Sequence, residues 1–294
     1  SIPLEVRAPN ARAVGTLRWR AGFHLTTDRT TFGGLSGMVI DGDDVVAVTD
    51  QSTWWRFPLE HDATGTLVGV GDAITGPLLR PDGKPLETRR ERDAEEILSI
   101  DGSWVVSFEG DHRLWRYPDV DGTPAGLPTS LNAPDALAEA PVNGGMEAMT
   151  QLADGRWLIF SEEQETPTGE MRGWLGNPTD GWADLALAKV EDFVPTGLTQ
   201  LPDGDIVVLE RSFNRVTSIL RVRMVRIDGA SIAAGARLEG EELGRLAAPQ
   251  AVDNFEAIVA REAADGTVVL YLLSDDNFQA IQRTLLLQLE LPAG

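Results

Sequence analysis

The chain has 294 residues, with 46 Asp and Glu against 25 Lys and Arg, which gives a formal charge of −21 at pH 7. This acidic balance makes nucleic acid and anionic membranes poor partners, and the absence of cysteine excludes disulfides, zinc–thiolate sites and thiol nucleophiles. The length suits two ordinary domains or one large all-β domain. No uninterrupted apolar stretch approaches the ~18 residues of a membrane span, so we expect no membrane insertion.

The first predicted element is a strand within VGTLRWRAGFHL, residues 14–25. This segment resembles TGTLVGVGDAI, residues 64–74, which follows the first of several repeated hairpins described below. Residues 64–74 are predicted to form the outer strand of the first repeat. By analogy, we expect the N-terminal strand to supply the outer strand of the last repeat.

Repeated Asp-Gly pairs organise the rest of the chain. Each has a short apolar segment before it and a second one after it that ends on an acidic residue, and neighbouring pairs lie 49 to 62 residues apart. β-branched residues on both sides of an Asp-Gly turn are typical of a β-hairpin with a type I′ turn. Third apolar segments follow, such as WWRFPL, RLWRYP and RMVRI. The pairs stand at residues 41–42, 101–102, 154–155, 203–204 and 265–266.

Repeats of this length with about four short strands each predict a β-propeller. We expect an all-β fold of five four-stranded blades, forming a single domain over residues 1–294 and closed by the N-terminal strand. Six blades are possible if residues 61–93 or 229–250 contain a degenerate blade. Residues 231–247, rich in Ala, Leu and Glu, are a candidate helix that would decorate the ring.

The first strand of each blade lines the central channel of a propeller, so equivalent positions form a ring. Aligned on the Asp-Gly pairs, these positions are Ser36, Glu95, Glu147, Thr196 and Glu256. Three carboxylates at one level repel one another unless a cation or shared protons lie between them. A hard divalent ion, Ca²⁺, is therefore predicted. The predicted ligands are Glu95, Glu147, Glu256, Asn143 and Asn254.

A second set of acidic residues ends the second strand of each blade and is expected at the same channel mouth. These residues are either additional ligands or strand-end acids paired with arginine. Sequence proximity suits Glu109 to pair with Arg113, and Glu210 with Arg211. The set consists of Asp50, Glu109, Glu162, Glu163, Glu210, Asp275 and Asp276.

The sequence lacks several catalytic and nucleotide-binding motifs, and this limits the mechanisms that the protein could use. The three histidines include no HExxH pattern, the GLSGM segment fails the G-x-S-x-G pattern, and no phosphate-binding glycine motif follows a strand. Carboxylates with a metal remain, together with arginine, which binds phosphate or carboxylate bidentately. Two arginine clusters adjoin the inferred mouth, at residues 89–92 and 211–215.

Several segments in the same order resemble the bacterial family called esterase-like activity of phytase, or phytase-like. They include FGGLSGM, RERDAEEIL, SFEGDHRLWRYP, NGGMEAM, VVLERSF and LLSDDNFQAIQRTLL. The resemblance implies a β-propeller, often exported, with phytase or esterase activity. Ala94-Glu95-Glu96 stands where many members have a Pro-Glu-Gly type of sequence. The characteristic positions are Glu95, Glu147, Glu256, Arg113, Arg211, Asp276 and Asn277.

The sequence and the resemblance together give two hypotheses for the function. The first is a Ca²⁺-dependent hydrolase of phosphate monoesters or other esters, with its site at the channel mouth and a small anionic ester as substrate. Glu147 or Glu95 would be the general base, and Arg211, Arg92 and Arg113 would bind the substrate. The second is a non-catalytic propeller that binds a ligand or protein, with a structural calcium. In either case we expect a monomer in the periplasm or outside the cell.

Overall fold

Each Asp-Gly pair closes a β-hairpin in the computed structural model, which describes residues 1–263 and 265–292. Asp101 and Gly102 form a two-residue loop in which both residues have positive φ, 51° and 67°. This is the type I′ geometry that Asp-Gly favours. Three later pairs use a longer turn in which the glycine alone takes positive φ, at residues 155, 204 and 266.

The first half of the chain begins with two N-terminal strands and contributes two blades. The N-terminal strands are β1 (Ala13–Val14) and β2 (Leu17–His24). The first blade contains β3 (Leu35–Asp41), β4 (Asp44–Thr49), β5 (Thr53–His61), β6 (Leu67–Val70) and β7 (Ile74–Pro77). A single helical turn, α1 (Arg89–Arg92), precedes the second blade, which contains β8 (Ala94–Ile100), β9 (Ser103–Phe108), β10 (Arg113–Pro118) and β11 (Thr129–Leu131).

The second half contributes three blades. The strands of the third are β12 (Met146–Gln151), β13 (Trp157–Glu165), β14 (Met171–Asn177) and β15 (Gly181–Leu187). Next come β16 (Val194–Gln200), β17 (Ile206–Asn214), β18 (Ile219–Ile227), β19 (Arg237–Leu238) and β20 (Glu241–Ala247), of which β19 joins the third blade and the rest form the fourth. The last three strands are β21 (Asn254–Glu262), β22 (Val268–Asp275) and β23 (Leu285–Leu291).

Within the described residues the strands form five sheets, and the first strand of each is its innermost. The inner strands contact one another in a closed circuit, β3 to β8 to β12 to β16 to β21 and back to β3. The predicted five-bladed propeller is therefore confirmed. None of the helices in residues 1–263 and 265–292 is long and apolar enough to span a bilayer.

The hydrophobic core lies between neighbouring blades rather than at the centre of the ring. In β4, Val46 and Val48 pack against the second blade, whereas Val45 and Ala47 pack against the fifth. Side chains alternate between the two faces of a strand, and here both faces are buried. This explains the continuous apolar runs of the second strands, and it leaves the inner strands free to carry polar side chains along the channel.

The ring is closed by the N-terminal strand, as predicted. β2 pairs antiparallel with β23, so the fifth blade has the order β1-β2-β23-β22-β21. Closure pairs edges that would otherwise remain open. The predicted helix at 231–247 is wrong: after a 3₁₀ turn at Gly229–Ser231, this segment forms β19 and β20. Neither 61–93 nor 229–250 adds a sixth blade, because their strands join the first, third and fourth sheets.

Trp19 tests whether the closing strand stabilises the ring. Its side chain is buried in the core between the fourth and fifth blades. We expect Trp19→Ala to lower the free energy of unfolding by about 3–5 kcal/mol, the usual cost of removing a buried aromatic side chain. Arg18→Ala, on the solvent side of the same strand, is the matched control and should change it by less than about 0.5 kcal/mol. Urea denaturation measures both, and equal losses would contradict a closing role.

Candidate functional site

A register shift of the β-bulge type interrupts every inner strand at the same level. In β12, for example, Met146 pairs with Ser161 and Ala148 with Phe160, so Glu147 has no direct partner. A bulge re-aims the side chain of the extra residue. The other inner strands shift register at the equivalent positions, which contain Ser36, Glu95, Thr196 and Glu256.

Carboxylates from two neighbouring parts of the second blade meet at this level. Asp93 and Glu95 flank the start of β8, and Glu109 directly follows β9, the antiparallel partner of β8. One carboxylate oxygen from each of these three residues lies within 4.8 Å of the other two. Such a group of oxygen ligands suits a hard divalent cation.

Two pairs of carboxyl groups in this region, Asp93 with Glu95 and Glu109 with Glu147, are placed to share a hydrogen bond, which limits the rise in the pKa of Asp93 and of Glu109. A hydrogen bond between two carboxyl groups requires a proton on one of them. Burial, with the neighbouring negative charges, raises the pKa of Glu95 and of Glu147 well above the usual range. Burial also raises the pKa of Glu109 to about 7. A cation would take the place of these protons.

The positive charge of Arg211 offsets the carboxylates on the other side of the channel. Its guanidinium donates to Glu162 Oε1 and to Asn254 Oδ1, both at 2.5 Å, and lies 3.6 Å from Glu256 Oε1. Burial opposes the charge of Arg211, but Glu256 and Glu162 outweigh that effect and raise its pKa. Burial likewise raises the pKa of Glu256, to about 7, although Arg211 limits the rise.

The two arginine pairings suggested by sequence proximity are wrong. Glu210 and Arg211 are adjacent on β17 and therefore point to opposite faces. Glu210 instead binds its cross-strand partner Arg223 at 2.5 Å. Arg113 stacks on Phe108, 4.0 Å from the ring centre, and does not reach Glu109.

Two buried carboxylate oxygens provide a fit test for a cation. Within the described part of the chain, Glu256 Oε2 and Asp50 Oδ1 are buried without a hydrogen-bond partner. Leaving a buried acceptor unpaired is costly, and a cation or its bound water would satisfy both. Burial and nearby carboxylates also raise the pKa of Asp50 to about 6 and that of Asp275 to about 8. The site residues therefore fit a divalent cation.

An open cleft of about 910 Å³ adjoins the acidic group and shares Asp93 with it. Asp50 also lines the cleft, while Arg89 and Arg92 bring positive charge from α1 and Phe278 forms an apolar wall. Arg92 is held in place by Gln51 and by the backbone carbonyl of Glu87. The cleft thus joins an arginine-lined wall to a candidate metal centre.

The structure brings some of the predicted site residues together and separates others. Glu95, Glu147 and Glu256 share the channel with Arg211, and Arg92 lines the cleft. Asn143 lies exposed in the loop before β12, and the side-chain oxygen of Asn254 already accepts from Arg211. The guanidinium of Arg113 donates to the backbone carbonyls of Asp111 and Glu91 instead of facing the cleft.

Sequence reasoning did not select Asp93 and Glu109 as principal ligands. Asp93 directly precedes the inner strand, and Glu109 belongs to the second acidic set, which was predicted to reach the same mouth. The signal was therefore present in the recurrence of acids at strand ends. Closeness to Glu95 marks out Asp93, and it separates Glu109 from the other members of the second acidic set.

Comparison with known proteins gives a family and a fold. A family model described as Phytase-like, esterase-like activity of phytase, matches residues 30–278. An endo-arabinase from Bacteroides thetaiotaomicron VPI-5482 superposes with a TM-score of 0.52 at 10% identity, covering 95% of this chain and 96% of that one. A hypothetical protein from Leishmania major gives 0.50 at 13% identity, covering 92% and 90%. These identities show the fold alone, and no curated protein matches the chain.

The acidic channel predicts an unusual dependence of stability on pH. Glu109 and Glu256 hold protons in the fold up to about pH 7, whereas in the unfolded chain they ionise at their ordinary values. The folded state therefore binds more protons between pH 5 and 8, so the free energy of unfolding falls as pH rises. For one carboxyl shifted from 4.5 to about 7, the fall amounts to about 3 kcal/mol.

Urea denaturation in chelator from pH 5 to 8 measures this slope. We expect Glu109→Gln to flatten it, and the exposed neighbour Glu163→Gln to leave it unchanged. Added Ca²⁺ should stabilise the protein most at pH 8, because binding displaces protons. Stability that rises with pH in chelator would refute the shared-proton arrangement.

Proposed function

We propose that this member of the phytase-like family is a hydrolase of anionic esters, with phosphate monoesters as its principal substrates and Ca²⁺ bound at the channel mouth. One observation carries the proposal: carboxylate oxygens of Asp93, Glu95 and Glu109 converge beside an open cleft, which Asp93 lines together with two arginines. A phosphate needs positive charge in a chain of formal charge −21, and the cation together with Arg89 and Arg92 supplies it locally.

The residues that would hold the cation are Asp93, Glu95 and Glu109, with Glu256 and Asp50 offering the two unpaired oxygens. Ca²⁺ accepts six to eight oxygen ligands in irregular geometry, which suits acids supplied by separate blades. When bound, the cation would polarise the ester oxygen and lower the pKa of a coordinated water.

Glu147 is the best candidate for proton transfer. Its side chain is buried at 8% exposure, it is placed to share a hydrogen bond with Glu109, and burial with the neighbouring negative charges raises its pKa well above the usual range of a carboxyl group. An acid–base group works best when its pKa lies near the working pH. Glu95 belongs to the group of acids that would hold the cation, so we assign it as a metal ligand. Glu147 is then the residue that we assign to proton transfer.

The arginines divide between two tasks. Arg89 is exposed on α1, and Arg92 is fixed beside it by Gln51. Both line the cleft, where they would orient an anionic group through bidentate hydrogen bonds. Arg211 is committed to Glu162 and Asn254 inside the channel. We therefore assign Arg211 to charge balance within the channel.

A non-catalytic propeller with a structural calcium is the second candidate. The observation that favours it is the extent of internal pairing, since Arg211 and two hydrogen-bonded carboxyl pairs satisfy much of the channel without a substrate. Propellers serve many functions on one fold. In either case we propose a monomer in the periplasm or outside the cell, where calcium is abundant enough for a site of modest affinity.

Turnover by matched variants separates the two candidates. We expect phosphate release from aryl phosphate or phytate, or cleavage of a carboxylic ester, to require Ca²⁺ and to stop in chelator. Glu147→Gln should lower kcat by about 100-fold or more, the usual range for a lost acid–base group. It should keep the melting temperature within a few degrees, and Glu163→Gln should retain full activity.

Chelator-insensitive activity would contradict the metal-dependent mechanism. Absence of turnover on all three substrate types, combined with calcium-dependent melting, would favour the structural-calcium alternative. Glu95→Gln provides the complementary variant, because it should weaken Ca²⁺ binding at least tenfold in calorimetric titration whether or not the protein is an enzyme.

A further inference from the structure

Phe278 occupies an unusual position for a large apolar residue. It lies in the loop between β22 and β23 and has a φ of +52°, directly after Asn277 with a φ of +47°. Residues other than glycine rarely adopt this left-handed conformation, and a bulky aromatic residue does so least readily. Its side chain nevertheless remains 43% exposed, so burial of the ring does not account for the conformation.

Asp276, two residues earlier in the same loop, fixes this conformation and ties it to a distant part of the chain. Its Oδ1 accepts hydrogen bonds from the amides of Phe278 and Gly34, both at 3.0 Å, and its Oδ2 accepts from Thr284 Oγ1 at 3.1 Å. The amide of Asn277 donates to Asp275 Oδ1 at 2.6 Å. The loop is therefore held by its backbone, independently of the ring.

The ring of Phe278 rests on the Gly33-Gly34 backbone. A Cβ atom at Gly34 would lie 2.6 Å from Phe278 Cε2 and 2.3 Å from Asp50 Oδ1, and one at Gly33 would lie 3.1 Å from Phe278 Cε1. Both positions also have positive φ, so glycine alone fits there without strain. One side of the ring is thus supported by glycines, and the ring lines the cleft.

The same cleft contains the arginines of α1. Arg89 and Arg92 provide donors for an anionic group, while Phe278 provides a rigid, flat apolar surface. A fixed aromatic ring costs little conformational entropy on binding and favours stacked or edge-on contact with another ring. The cleft therefore suits a ligand that carries both a negative charge and a planar group.

We propose that Phe278 forms a subsite for the aromatic group of an aryl-bearing anion, so that the preferred substrates are aryl phosphates or related aryl esters. This proposal rests on the proposed function for the reaction and names its substrate class. Arg89 and Arg92 bind the anionic end, and the aryl group stacks on Phe278. An inositol phosphate, which has no aromatic ring, gains nothing from the subsite.

Calorimetric titration with phenylphosphonate and methylphosphonate in the presence of Ca²⁺ tests the subsite without turnover, because neither compound has an ester bond. We expect the full chain to bind phenylphosphonate at least fivefold more tightly, in keeping with about 1 kcal/mol for an aromatic contact. Phe278→Ala should reduce that ratio to near one and leave methylphosphonate affinity within twofold. Phe278→Tyr should retain the preference.

Phe213→Ala is the matched control, since Phe213 is 51% exposed at the end of β17 and should leave the ratio unchanged. Equal affinities in the wild-type protein, a preference that survives in Phe278→Ala, or failure to bind either compound would overturn the subsite. If the preference is present but aryl phosphate is not hydrolysed, the subsite stands and the proposed reaction fails. If aryl and alkyl phosphates are hydrolysed equally well and the preference is absent, the reaction stands and the subsite fails.

Discussion

The concentration of buried negative charge in the channel constrains the rest of the molecule. Carboxyl groups from three blades occupy one level of the ring, where burial strengthens their mutual repulsion. Two features of the structure can relieve this repulsion: the Asp93–Glu95 and Glu109–Glu147 pairs are placed to share protons, and Arg211 contributes a positive charge. Carboxyl groups that share protons in this way could release those protons when a cation binds.

The propeller can tolerate this charge because its hydrophobic core lies elsewhere. The apolar clusters fill the spaces between blades, and each second strand contributes side chains to two of them. The inner strands consequently do not have to pack an apolar centre. Their register shifts fall at one level of the ring, where the aligned residues can be acidic in three blades and hydroxyl-bearing in the other two.

The repeats make much of this arrangement predictable from the sequence. The pairing of individual side chains could not be predicted in the same way. The Asp-Gly spacing and the apolar runs indicate where each strand begins and ends. The five blades and the N-terminal closure can therefore be predicted from the sequence, as can the equivalence of Glu95, Glu147 and Glu256. The partners of Arg211 do not, because they lie on neighbouring blades and depend on which way β17 faces. Residues 231–247 show the same limit: a composition favourable to helix forms strands because pairing with β18 and β15 outweighs local propensity.

The positions that the resemblance to the phytase-like family singles out in the sequence have different physical roles. Glu95, Glu147, Glu256 and Arg211 set the charge balance of the channel. Asp276 and Asn277 lie outside that network and shape the cleft wall, since Asp276 ties Gly34 to the loop that presents Phe278. Through this link, the glycine pair before the first blade is hydrogen-bonded to the acidic loop of the last blade. The blades that close the ring are adjacent, so one carboxylate can join them and set the shape of the cleft beside the candidate metal centre.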